Sequence, residues 1–269
     1  MNRRILVTGA ASGLGNALVE RFTDARDRVL ATDLSLGRPG SLPEGVGYLP
    51  LDVTSDANWE AARDHVTQQW GGLDLLVNNA GIASGGRIDV ATMDEWERVT
   101  QVDLLGVARG CRTFAATLKA QGSGHIVNVA SLAGLVPPPG MAAYNAAKAG
   151  VVALTETLHH ELAPYGVAAS VVCPSYFRTN LASSLKGADT DVLEKAAGLI
   201  ESSPLSVAEV ADAVVEGIER REPVILPDEA ARASYALKLA DREAYDEQMQ
   251  VVARRVRERD QQRGTGAGG

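Results

Sequence analysis

The sequence predicts an α/β fold: a doubly wound, parallel, seven-stranded sheet with helices on both faces and a helical C-terminal extension. Three observations predict it. Short apolar runs alternate with longer helical patterns through the first 226 residues, the signature of parallel crossover units. The first run ends on a glycine-rich turn, Gly9 to Gly15, that opens a helix. At 269 residues and 45% hydrophobic content, the chain can bury one large core, and neither a repeat nor a linker divides it.

Taken in order, residues 4–8 form a buried strand that stops at Gly9, and 14–24 form a helix. Residues 28–33 give a second strand ending on Asp33, and 47–51 a third, followed by Asp52 and Val53. Residues 56–70 are helical, with Ser55 or Asp56 as N-cap. Strand four, 73–77, runs into Asn78-Asn79-Ala80-Gly81. A long helix spans 93–120, with Trp96, Val99, Val102, Leu105 and Val107 on its apolar face, and Gly122-Ser123-Gly124 breaks it. Strand five is 125–129. A helix over 142–165 carries Tyr144, Gly166 ends it, and 167–173 is strand six. Residues 180–204 form a mixed segment without strand signal. A helix over 207–220 and a short seventh strand over 224–226 complete a body of residues 1–227. Residues 228–262 read as a charged helical extension packed on that body or against a partner subunit. The glycine-rich 263–269 reads as a disordered tail.

Composition narrows the function. A formal net charge of −8 speaks against a nucleic-acid face, which needs clustered Lys and Arg. No apolar run has the length of a membrane span, and no signal-peptide pattern opens the chain. Cys111 and Cys173 have neither disulfide nor metal-ligand spacing and read as core residues in a reducing compartment. The expectation is a cytoplasmic protein without membrane, nucleic-acid or metal partners.

The chemistry converges on two stretches. Ser131 precedes Tyr144 by thirteen residues, and Lys148 follows Tyr144 by four, so the last two share one helix face. A phenol titrates near pH 10; an ammonium beside it favours the phenolate and draws that value down. A serine hydroxyl from an upstream loop would hold a carbonyl or alcohol oxygen against the phenol. That is an acid/base device for a C–O centre. At the other end, Gly9, Gly13 and Gly15 sit where a helix N-terminus offers free N–H groups to a pyrophosphate. Asp33, twenty residues after Gly13 at the end of strand two, can hydrogen-bond an adenosine ribose 2′-OH and would repel a 2′-phosphate. This favours NAD over NADP.

Together, these features make the sequence resemble the short-chain dehydrogenase/reductase family, over residues 5–226. The resemblance rests on the Thr8-Gly9-x-x-x-Gly13-x-Gly15 turn, on Asn78-Asn79-Ala80-Gly81, and on Ser131 with Tyr144-x-x-x-Lys148. A stretch from Pro174 to Thr179 adds to it. It implies a Rossmann-type domain in which Tyr144 is the acid/base, Ser131 polarises the substrate oxygen, and Lys148 also bonds the nicotinamide ribose. Gly9, Ser12, Gly13, Leu14 and Gly15 would line the pyrophosphate. Asp33, Leu34, Asp52 and Val53 would face the adenosine, and Asn79, Ala80 and Gly81 would run along the cofactor. Pro174, Phe177 and Thr179 would meet the nicotinamide. Homodimers or homotetramers are usual in this family.

Two positions depart from the family pattern. Asp103 stands where an Asn that positions a relay water is usual, and Ser175 where Pro-Gly is usual. The expected substrate wall is Ala133, Leu135, Val136, Met141, Tyr176, Phe177, Leu181 and Leu185, without a cation for a carboxylate. The expectation is thus an NAD-dependent enzyme interconverting a small secondary alcohol and a ketone, on a lipophilic or aromatic substrate. An NADPH-dependent ketoreductase and a non-catalytic dinucleotide-binding scaffold stay open.

Overall fold

The computed structural model describes residues 2–179 and 184–266, with side chains to residue 258. Seven parallel strands are β1 (Arg4–Thr8), β2 (Arg28–Asp33), β3 (Gly47–Pro50), β4 (Leu75–Asn78), β5 (Gly124–Val129), β6 (Val167–Val172) and β7 (Val224–Ile225). Their spatial order is β3-β2-β1-β4-β5-β6-β7. Side chains alternate across the pleat. Leu6, Leu30, Leu76 and Ile126 enter one core, while Ile5, Val7, Val29, Leu75, Val77 and Val127 enter the other.

Helices cover both faces, as expected of sheets whose strands are apolar on both sides. α1 (Gly13–Asp24) shares the second core with α8 (Val207–Glu219). α2 (Asp56–Trp70), α4 (Gly106–Gln121) and α6 (Ala142–Leu162) share the first. Trp59 of α2 is 1% exposed, meets Phe114 of α4 edge-on at 6.5 Å, and donates its indole N–H to the Val53 carbonyl at 3.0 Å. That bond fixes the turn after β3. Ser55 is the N-cap of α2, accepting from the Asn58 N–H.

The helix expected over 93–120 is three pieces. α3 (Met93–Thr100) opens on a Thr92/Glu95 capping box. A π-helical turn, Gln101–Leu105, follows, and then α4. The wider turn carries one extra residue and rotates Asp103 inward, a displacement periodicity alone does not signal. A short helix before α6, α5 (Leu132–Leu135), was not expected. The segment without strand signal contains α7 (Thr190–Glu201). The extension is two helices, α9 (Glu229–Ala240) and α10 (Arg242–Gly266), and the second takes helical backbone beyond residue 262. Among the described residues, no helix is long and apolar enough to cross a membrane, and no cluster of residues could hold a metal. Both cysteines are buried and free.

Candidate active site

At the carboxyl edge of the sheet, where β1 and β4 are neighbours and the strand order reverses, a cavity of about 770 Å³ opens. This is where open parallel sheets bind ligands, because helix N-termini and strand ends converge there. Gly9 and Gly13 adopt φ of +65° and +55°, conformations that glycine takes without strain. A Cβ on Gly9 would lie 2.7 Å from the Ala80 Cα, so the turn after β1 and the segment after β4 touch backbone to backbone. Thr8 clasps them: its Oγ1 accepts from Asn79 N and Ala80 N, each at 3.0 Å, and its carbonyl from Asn79 Nδ2 at 2.9 Å. The Ser12 side chain makes no capping bond, which leaves the first N–H groups of α1 facing the cavity.

Asp33 ends β2 at the cavity wall, its Oδ2 accepting from Ala11 N at 2.9 Å and its Oδ1 from Leu34 N at 2.8 Å. The nearest following cation, Arg38, is spent on the Leu42 and Pro43 carbonyls, at 3.2 and 2.6 Å. Asp52 and Val53 line the same end, Asp52 N donating to Asn58 Oδ1 at 2.9 Å.

At the far end, Ser131 comes from the turn after β5 and meets Tyr144 and Lys148, which share α6. Ser131 caps α5, accepting from Ala133 N at 3.2 Å, and its hydroxyl hydrogen-bonds the Tyr144 hydroxyl. Gly134 makes this approach possible, since a Cβ there would meet the Lys148 carbonyl oxygen at 2.7 Å. Lys148 Nζ stands 5.6 Å from the Tyr144 ring centroid, donates to the Val129 carbonyl at 3.3 Å, and lies 4.0 Å from Asp103 Oδ2. Asp103 itself is wholly buried. Its Oδ1 accepts from Ile82 N at 2.8 Å, and its Oδ2 has no hydrogen-bond partner.

The electrostatics differ from the sequence expectation. Burial pushes the Tyr144 phenol upward, the Asp103 carboxylate adds to that, and the Ser131 hydrogen bond pulls it partly back. Tyr144 is therefore neutral at pH 7 in the protein alone. Asp103 is pushed up too, by burial above all, with Lys148 and the Ile82 N–H opposing.

Most of the expected residues line the cavity: Gly9, Ser12, Gly13, Leu14, Asp33, Leu34, Asp52, Val53, Asn79, Ala80, Gly81, Ser131, Tyr144, Lys148, Pro174, Phe177 and Thr179. Gly15 does not. It lies behind the turn, where a Cβ would overlap the Gly9 carbonyl and the Asn79 amide, so its smallness serves packing. Asp103 also lies behind the wall. Of the substrate-wall residues, Leu135 turns into the main core instead, and Leu181 lies outside the described residues. Sequence reasoning missed Val102 of the π-helical turn, Ala196 and Ile200 of α7, and Ala230, Ser234 and Met249 of the extension. The apolar spacing of 192, 196 and 200 at four-residue intervals was a findable signal for α7.

A sequence model of the short chain dehydrogenase family matches residues 3–190. The trans-4-hydroxycyclohexanecarboxylate dehydrogenase of Sinomonas cyclohexanicum is 36% identical over 194 residues, 67% of this chain and 74% of that one. A short-chain dehydrogenase/reductase of Burkholderia phymatum, solved with NAD, superposes with TM-score 0.82 at 31% identity, over 90% of this chain and 95% of that one. A short-chain dehydrogenase of Burkholderia cenocepacia, solved with NADP, has TM-score 0.77 at 25% identity, over 92% and 97%.

Proposed function

Because the chain belongs to the short-chain dehydrogenase family, and is therefore an NAD(P)-dependent oxidoreductase acting on CH–OH groups, we propose that it interconverts a neutral, lipophilic secondary alcohol and its ketone, with NAD as the preferred dinucleotide. The observation that carries this reading is the meeting of Ser131, Tyr144 and Lys148 at one end of a cavity whose other end is the Gly9–Gly13 turn and Asp33.

The residues present fit a dinucleotide. The positive-φ glycines leave an open cradle, the N–H groups of α1 face it, and Asp33 offers lone pairs where an adenosine ribose would lie. Gly9, Ser12, Gly13 and Leu14 would hold the pyrophosphate, Asp52 and Val53 the adenine, and Asn79 to Gly81 with Pro174, Phe177 and Thr179 the nicotinamide half. When bound, the dinucleotide accepts or supplies the hydride at the carbinol carbon. The chain's own groups handle the oxygen. Ser131 donates a hydrogen bond to it and fixes its distance from Tyr144. The Tyr144 hydroxyl gives its proton to the oxygen in ketone reduction and recovers it in alcohol oxidation, a transfer worth ~10²–10⁴-fold. Lys148, beside the phenol, stabilises the phenolate that oxidation needs. Asp103 acts through others, holding Gly81 and Ile82 in place through the Ile82 N–H and facing Lys148 with its second oxygen.

Preference for NAD is supported by the Asp33 carboxylate and by the engagement of Arg38 elsewhere. The neutral substrate is supported by the wall. Ala133, Val136, Pro138, Met141, Tyr176, Leu185, Ala196 and Ile200 are uncharged, and Lys148 is the single cation among the described lining residues. A homodimer or homotetramer in the cytoplasm completes the reading. The test is a panel of cyclic, aromatic and aliphatic secondary alcohols followed by reduced-dinucleotide absorbance. Turnover with NAD exceeding NADP supports the proposal. Dinucleotide binding without turnover of any alcohol or ketone would leave a scaffold in its place.

A further inference from the structure

The Ser175 departure is answered fifty-three residues later, at the root of the C-terminal extension. Ser175 N donates to Asp228 Oδ2 at 2.9 Å, and Ser175 Oγ donates to Asp228 Oδ1 at 2.7 Å. The same Oδ1 accepts from Ala231 N at 2.8 Å, capping α9. Asp228 is only 6% exposed, so its carboxylate is held by three oriented dipoles from two separate segments. Such donors replace the water that a buried carboxylate loses.

Those two segments are the two walls of the substrate end. Pro174, Tyr176, Phe177 and Thr179 flank Ser175 and line the cavity; Ala230 and Ser234 of α9 and Met249 of α10 line it from the opposite piece of chain. The segment around Ser175 is fixed at its other side, the Pro174 carbonyl accepting from Leu132 N at 2.9 Å and the Tyr176 carbonyl from Ser203 Oγ at 2.8 Å. The extension has further fastenings: Lys238 Nζ donates to the Leu135 carbonyl, and Tyr245 is 4% exposed in the main core. Asp228 is nevertheless the point at which the extension touches the cofactor-side segment through polar bonds.

We propose that Asp228 is a positioning residue: its carboxylate bolts α9 to residues 174–179, so that the extension and the nicotinamide-side segment form one rigid wall around the substrate. Losing the bolt frees α9 to move away from the cavity while the glycine turn, Asp33 and the Ser131–Tyr144–Lys148 group stay in place. Substrate affinity then falls and dinucleotide affinity does not. Ordering of residues 174–179 by a bound dinucleotide also reaches α9 through the same carboxylate. The kinetic part of this inference rests on the alcohol dehydrogenase reading; the exchange part does not.

The experiment compares Asp228→Ala, Asp228→Asn, Ser175→Ala and a control, Asp74→Ala. Asp74 is likewise a carboxylate with three hydrogen bonds, from Arg4, but at the opposite edge of the sheet. For the best alcohol of the panel, Asp228→Ala raises KM about tenfold, part of the effect of losing both charge-assisted hydrogen bonds to Ser175. The NADH dissociation constant and kcat stay within about threefold. Asp228→Asn recovers part of the loss, because its amide oxygen accepts one N–H and its NH₂ donates to Ser175 Oγ. Asp74→Ala lowers Tm without moving KM. Separately, NADH (with NADPH in parallel) slows amide exchange across α9 in the wild type and not in Asp228→Ala. If Asp228→Ala changes KM no more than Asp74→Ala, the positioning role is wrong. Equal dinucleotide protection of α9 in both proteins overturns it as well. Should Asp228→Ala fail to fold, Ser175→Ala keeps two of the three bonds and must still raise KM measurably and weaken that protection; unchanged values refute the proposal. A wild type that turns over no alcohol defeats the dehydrogenase reading alone, and the exchange result still decides Asp228.

Discussion

Replacing Asp103 by Asn removes a charge and little else. Asp103 sits on the π-helical turn with no exposed surface, one oxygen tied to the Ile82 N–H and the other unpartnered 4.0 Å from Lys148 Nζ. At that separation the attraction to Lys148 is worth up to about 4 kcal/mol at an effective dielectric near 20. Taking a carboxylate out of water costs several kcal/mol, and burial outweighs the attraction: the carboxyl is pushed above its ordinary value. A group whose pKa is raised on folding contributes stability at low pH that is lost as pH rises through the folded value. Asp103→Asn should therefore match or exceed wild-type Tm at pH 7, and the difference should shrink as pH falls and the wild-type carboxylate takes up its proton. The same charge raises the Tyr144 phenol, so its removal lowers that pKa. The acid limb of the pH profile for alcohol oxidation should then move to lower pH. Asp103→Ala is different, because it strands the Ile82 N–H and opens a void. An unsatisfied buried donor costs about 1–3 kcal/mol, or roughly 2–12 °C in Tm for a domain of this size, and kcat falls as the segment at Gly81 loosens. Thermal melts at pH 4 and 7 with pH–rate profiles of all three proteins decide it. An alanine variant with wild-type Tm and pH profile would falsify this account and leave Asp103 a helix residue.

Tyr144→Phe deletes the proton carrier and should lower kcat by ~10²–10⁴-fold while NADH still binds, measured by quenching or calorimetry; near-normal turnover removes Tyr144 from its role. Asp33→Ala should reduce the ratio of kcat/KM for NAD to that for NADP, and a wild type that binds NADPH more tightly than NADH would refute the assignment of Asp33. Light scattering at micromolar protein should give two or four times 28.3 kDa; a mass equal to one chain would sink the proposed oligomer.

Much of the site was legible because its parts announce themselves locally. Gly9 and Gly13 were readable from their place between a strand and a helix, Asp33 from its position at the end of the next strand, and Tyr144 with Lys148 from a four-residue interval on one helix. The sheet was legible for a similar reason: two-sided burial makes each strand a short apolar run, and helices between such runs leave a parallel order as the natural one. The strand ends, which differ by one or two residues, depend on where hydrogen bonding to neighbours stops, and no single strand contains that information.

Other features exist only once the chain is folded. The π-helical turn that buries Asp103 is one extra residue inside an otherwise helical pattern, and it sets Asp103 against Ile82 and Lys148. Leu135 is as apolar as Val136, and both pack into the main core, yet only Val136 also lines the cavity, with α5 held against α6 at Gly134. The Tyr144 pKa follows the same rule. Spacing placed a cation beside the phenol, but burial and a carboxylate reached from a different helix set the direction. Asp228 read as an ordinary residue at a helix start; its bonds to Ser175 join positions with no periodic relation. The sequence thus determined the architecture and the reacting groups, which depend on interactions a few residues apart. Tertiary structure decided their electrostatics and the far wall of the cavity, since desolvation and long-range contacts are properties of the assembled core and not of any segment.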